Sequence, residues 1–109
     1  MFIERHHIVF KSQGGLDFDI NFVYLEAERH RGNLGPHLCE KTDTILKKQM
    51  EINLREILTK RYYYIDELIE VLELNSEQAN KAFKKVKYDG NGIAREDVLR
   101  RLMGGKLVL

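Results

Sequence analysis

In 109 residues the chain has one cysteine, one proline and no tryptophan. With Cys39 alone, an internal disulfide and any paired-cysteine zinc ribbon are excluded, which fits a reducing compartment. No run nears the roughly 18 apolar residues of a membrane span. MFIERHH also lacks the apolar stretch of a signal peptide, so a cytoplasmic protein with no membrane partner is expected. An excess of one charge is missing too: 18 Lys and Arg against 17 Asp and Glu leave a formal net charge of +1. That argues against coating nucleic acid by bulk charge and leaves local patches as the electrostatic signal. No internal repeat or low-complexity stretch is visible.

What is present suffices for one domain or two very small units, with 43% apolar residues for a modest core. Arg5 to Phe10 and Phe22 to Leu25 are short, apolar and β-prone, and KSQGGLDFDIN between them is turn-rich. This reads as a hairpin with a long, structured loop. EAERH makes a helical turn, RGNLG interrupts it, and Pro36 suits the first turn of a new helix. From about Pro36 to Lys60, Leu46, Met50, Leu54, Ile57 and Leu58 recur at helical spacing, which predicts a long amphipathic helix. Short helices follow over Ile65 to Leu72, from an Asn75 or Ser76 N-cap to about Val86, and over Arg95 to Met103 after the DGNG turn. The expected fold is α+β, with a hairpin-and-helix unit over residues 1–60 and a helical unit over 61–109.

All four histidines, His6, His7, His30 and His37, fall in the first 37 residues. Successive strand residues point to opposite faces, so the His6 and His7 rings cannot share one environment. The bland reading is a polar pair at a strand end. The chemical reading is phosphodiester hydrolysis, in which a divalent cation neutralises charge on the phosphate and a neutral imidazole takes a proton from water. Gly14 and Gly15 serve loop geometry, and Lys11 and Ser12 beside them are candidate phosphate contacts.

The set His6-His7, SQGG at Ser12 to Gly15, Asp19-Ile20-Asn21 leading into an apolar strand, and His30 nine residues after Asn21 resembles the ββα-metal motif of HNH endonucleases. Its layout is similar to that of the colicin-type nucleases and of small phage-encoded HNH proteins. The resemblance covers about residues 4 to 38. It implies that His6 is a metal ligand, that His7 is the general base, that Asn21 fixes the geometry of the catalytic loop, and that His30 is the ligand at the start of the α element. Colicin-type members often place another His where this chain has Leu34. His37 is accordingly a third ligand, a phosphate contact or neither. The cysteine-bound structural zinc of many members is excluded by the single Cys39. One divalent ion is expected, among Mg, Mn, Ni and Zn.

YDGNGIARED looks like an EF-hand loop, but aligning Gly92 with the loop's glycine puts Lys87 and Val98 at ligand positions. It is read as a turn. IDELIEVLELNSEQANKAFKKV looks like a helix-turn-helix, with Leu68, Leu72, Ala79 and Phe83 packed inside. Lys81, Lys84, Lys85 and Lys87, joined by Arg100 and Arg101, would then meet phosphates. A three-helix bundle used only for packing explains the same pattern. Tyr62 to Tyr64 read as core packing and not as a base-stacking platform. The sequence thus points to a metal-dependent HNH endonuclease acting on DNA, of phage or prophage origin, in the host-cell cytoplasm, alone, as a homodimer or in a phage protein complex. The alternative is a DNA-binding accessory protein whose HNH-like part is a metal-stapled structural unit. An imidazole base predicts cleavage that rises with pH through roughly 6 to 7.

Overall fold

The computed structural model describes residues 2–27, Gly35 and residues 39–109. Among them the chain is a mixed α and β protein with four α-helices and two antiparallel two-stranded sheets. The first sheet pairs β1 (Ile3–His7) with β2 (Phe22–Glu26), setting Arg5 opposite Tyr24, His6 opposite Val23 and His7 opposite Phe22.

β1 lies closer to the N-terminus than the expected Arg5 to Phe10 and ends at the histidine doublet. The reason is local. Ile8 and Val9 are both buried, against the alternation a strand requires, and the Asn21 side chain takes the Val9 main-chain N–H and C=O in place of a neighbouring strand. The loop then doubles back on Phe10, whose carbonyl accepts from Gln13 N at 2.8 Å and from Gly15 N at 3.0 Å. Short 3-10 turns at Lys11–Gln13 and Asp19–Asn21 complete it. Gly15 is required by close approach, since a Cβ there would stand 1.8 Å from the Val9 carbonyl oxygen.

The long helix α1 spans Glu40–Ile57, inside the expected 36–60; residues 36–38 lie outside the described residues. Acidic Glu40 and Asp43 in its first turn and Arg55 in its last oppose the helix dipole. Met50, Leu54 and Leu58 form a fully buried stripe at spacing of four, and Leu46 packs against the same core. Ile57 departs from the expected apolar stripe: it is 40% exposed. Beyond α1 the chain turns away at Leu58, whose carbonyl receives the Arg95 Nε while Arg95 Nη2 donates to the Arg55 carbonyl at 2.9 Å. These bonds satisfy carbonyls that the helix end leaves open.

The second sheet pairs β3 (Tyr62–Tyr63) with β4 (Ile93–Ala94) and encloses α2 (Ile65–Leu72) and α3 (Ser76–Phe83) in the chain between them. Helix α4 (Arg95–Leu102) follows directly. α2 starts and stops where the apolar spacing predicts. α3 is capped by the Asn75 side chain, which accepts from Gln78 N at 2.9 Å, and it ends at Phe83 rather than near Val86. DGNG is a tight turn, as expected: Asp89 and Gly92 exchange main-chain hydrogen bonds at 3.1 Å. Gly92 has φ 111°, and a Cβ there would meet the Tyr63 carbonyl oxygen at 2.7 Å, so the turn seats against β3 without a side chain. The buried apolar cluster draws on both sides of residue 60. Val9, Leu16 and Phe18 of the loop join Met50 and Leu54 of α1 and Leu68, Phe83, Val98 and Leu102 of the shorter helices.

Candidate functional site

The doublet behaves as alternation along a strand dictates. His6 turns inward, 2% exposed, with its ring edge-on to Phe10 at 5.4 Å. His7 turns to the other face, its side chain 20% exposed and its ring edge-on to Phe22 at 4.7 Å. There its Nε2 lies 2.6 Å from Asp17 Oδ1. In the neutral ring, an Nε2–H that donates to the carboxylate leaves the Nδ1 lone pair as the proton acceptor.

Asn21 is fully buried and satisfied by the loop it closes. Its Oδ1 accepts from Val9 N at 2.7 Å, and its Nδ2 donates to the carbonyls of Val9 at 3.1 Å and Leu16 at 2.8 Å. Its own carbonyl accepts from Ile8 N at 2.8 Å. One side chain therefore ties the segment leaving His7 to the segment entering β2. Lys11 and Ser12 are exposed on the 3-10 turn beside this staple, and Lys11 Nζ is 3.7 Å from Asp17 Oδ2.

Asp17 is the site residue that sequence reasoning missed. Besides His7, it contacts Gln78 of α3: Asp17 N donates to Gln78 Oε1 at 3.0 Å, and Gln78 Nε2 donates to Asp17 Oδ2 at 3.4 Å. The hydrogen bond from His7 is the main reason its carboxyl titrates below the usual range; partial burial opposes that shift, and Lys11 and Gln78 add to it. The one sequence signal available was an acidic residue ten positions after a histidine in a turn-rich loop, which is not specific.

His30 and His37 lie outside the described residues. Of the three expected metal ligands, His6 alone lies among the described residues, and among these no group of three or more His, Cys, Asp or Glu side chains gathers into a metal site. His6 fits as one member of such a set, since its imidazole is a donor suited to transition-metal ions and is held inward, away from bulk water.

On the helical side, Leu68, Leu72, Ala79 and Phe83 are buried at the positions expected to pack. Lys81 is exposed on α3, and Lys84, Lys85 and Lys87 are exposed just after it. Arg101 is committed elsewhere, contrary to the expected phosphate contact: its Nε donates to the Ala82 carbonyl at 2.9 Å and its Nη1 to the Gly14 carbonyl at 2.8 Å. Burial also lowers its pKa from the ordinary guanidinium value. The tyrosine triplet divides. Tyr63 is core at 2% exposure, whereas Tyr62 and Tyr64 are exposed, because the first two residues form a strand with alternating faces. No helix among the described residues is long and apolar enough to cross a membrane. No family model, no curated protein and no solved structure matches the chain.

Proposed function

We propose that the protein is a metal-dependent HNH-type endonuclease that hydrolyses DNA phosphodiester bonds, of phage or prophage origin. The observation that carries the reading is the Asn21 staple: a fully buried amide closes the loop directly after a histidine doublet whose rings face opposite sides of the strand. Burying a polar side chain is costly unless its bonds are made, and the three that Asn21 makes to main-chain groups fix the geometry of the loop behind the doublet.

His6, together with His30 and His37, would hold one divalent ion, which when bound supplies charge neutralisation on the scissile phosphate and the leaving oxygen. His7 takes the proton from the attacking water through the nitrogen that does not face Asp17. Lys11 and Ser12, exposed beside the site, steady the phosphate backbone. Lys81, Lys84, Lys85 and Lys87 add affinity that depends on salt and little on sequence. One active centre per chain makes nicking the natural outcome, and double-strand breaks then require a homodimer or two visits. A second reading, a DNA-binding accessory protein with a helix-turn-helix over α2 and α3, draws on the buried Leu68, Leu72, Ala79 and Phe83 beneath the exposed lysines.

Supercoiled plasmid separates the two. Incubation with the purified protein in EDTA and in Mg²⁺, Mn²⁺, Ni²⁺ or Zn²⁺ should give nicked circles with at least one ion and none in EDTA. Intact plasmid under all conditions, with DNA still bound, supports the accessory reading instead.

A further inference from the structure

The loop that carries Asp17 is pinned to α3 at both ends of that helix. In the first turn of α3, Gln78 grips residue 17 twice, through its main-chain N–H at 3.0 Å and through Oδ2 at 3.4 Å. In the last turn, the Ala82 carbonyl shares the Arg101 guanidinium with the Gly14 carbonyl. These contacts join residues 61 and 87 positions apart in the chain. Between them the Asp17 carboxylate has one oxygen on Gln78 and the other on His7 Nε2.

We propose that Asp17 is the positioning residue of the His7 imidazole, and that Gln78, by gripping Asp17, makes the orientation of that ring depend on the seating of α3 against the loop. The catalytic meaning of the clamp rests on the endonuclease reading above; the clamp itself does not. A ring held only by its stack on Phe22 is free to flip between two edge-on poses. A carboxylate fixed at Nε2 selects one pose and leaves Nδ1 as the nitrogen free to accept a proton. Because α3 also carries Lys81, the helix offered to DNA and the base share one chain of contacts. Displacing α3 turns Asp17, and turning Asp17 releases His7.

The test uses the full chain, observing the His7 imidazole N–H by NMR without metal, beside single-turnover plasmid cleavage in the divalent ion that supports nicking. Asp17→Ala removes the acceptor. Gln78→Met keeps the bulk of the side chain and removes its polar ends. At low temperature the wild type should show a downfield imidazole N–H that vanishes in Asp17→Ala and broadens in Gln78→Met, with thermal midpoints little changed. Cleavage should fall about 10–100-fold in Asp17→Ala, the loss typical when the carboxylate that orients a metal-site histidine is removed. It should fall about 2–10-fold in Gln78→Met, the range for one hydrogen bond of ordinary net strength. Plasmid affinity should hold in both. An unchanged N–H signal and unchanged cleavage in either variant overturn the clamp. Wild-type protein that never cuts, with the N–H signal responding as described, overturns the nuclease reading and upholds the clamp.

Discussion

The hairpin with its loop and the helical part of the chain are held together by different means. Among the described residues the buried polar or charged side chains are His6, Asn21 and Glu51, and residues 58–109 contribute none. The helical part is closed by Leu68, Leu72, Ala79, Phe83, Val98, Leu99 and Leu102, where non-directional burial sets the fold. The loop is closed by an amide whose three bonds each require a particular direction. Breaches of the apolar-core rule gather where geometry matters to function, so the contrast itself points at the loop. Glu51 shows that α1 has a polar anchor of its own. Its carboxylate takes Arg55 Nε at 2.9 Å and Val108 N at 2.7 Å, and so fastens the C-terminal residues to the long helix.

Removing one member of each region should separate the two kinds of closure. Phe83→Ala leaves a cavity in the helical core beneath α3 and should cost about 4 kcal/mol in urea denaturation, with cleavage per folded molecule falling no further than in Gln78→Met. Asn21→Ala should cost about 3 kcal/mol, because it leaves Val9 N–H and two carbonyls buried without a partner, and it should also lower cleavage in the molecules that remain folded. Equal loss of cleavage per folded molecule in the two variants would erase the distinction between the regions.

Acid titration gives the smallest contrast. Asp17 titrates below the ordinary carboxyl value of 3.8, so its contribution to stability is fully present above that value and is lost as pH falls through the lower folded value. Glu96, held down by Arg55, and Glu67, held down by Lys60, act in the same sense in the helical part. Asp17→Asn should therefore flatten part of the loss of stability below about pH 4. The effect is modest because the Asp17 side chain is 42% exposed and screened by solvent. Urea midpoints between pH 3 and 6 would show it, and a wild-type slope in the variant would count against the His7–Asp17 pair.

The helices were legible because their signals are local. Apolar spacing set α2 and α4 nearly to the residue, and the Asn75 cap lies beside the helix it starts. β1 was misplaced because Val9 looks like a strand residue while its main-chain partners come from a side chain twelve positions on. Asp17 and Arg101 are illegible for a related reason: each also has a partner far along the chain, 61 and 87 residues away, and no periodicity encodes that. The alternation of His6 and His7 was legible, since a strand permits no other arrangement.

The most direct test of the central claim is plasmid cleavage by His7→Ala beside the wild type, with DNA affinity and thermal midpoint measured on the same preparations. Cleavage should fall about 10²–10⁴-fold, the usual contribution of a general base, while affinity and folding are kept. Cleavage at the wild-type rate would contradict it.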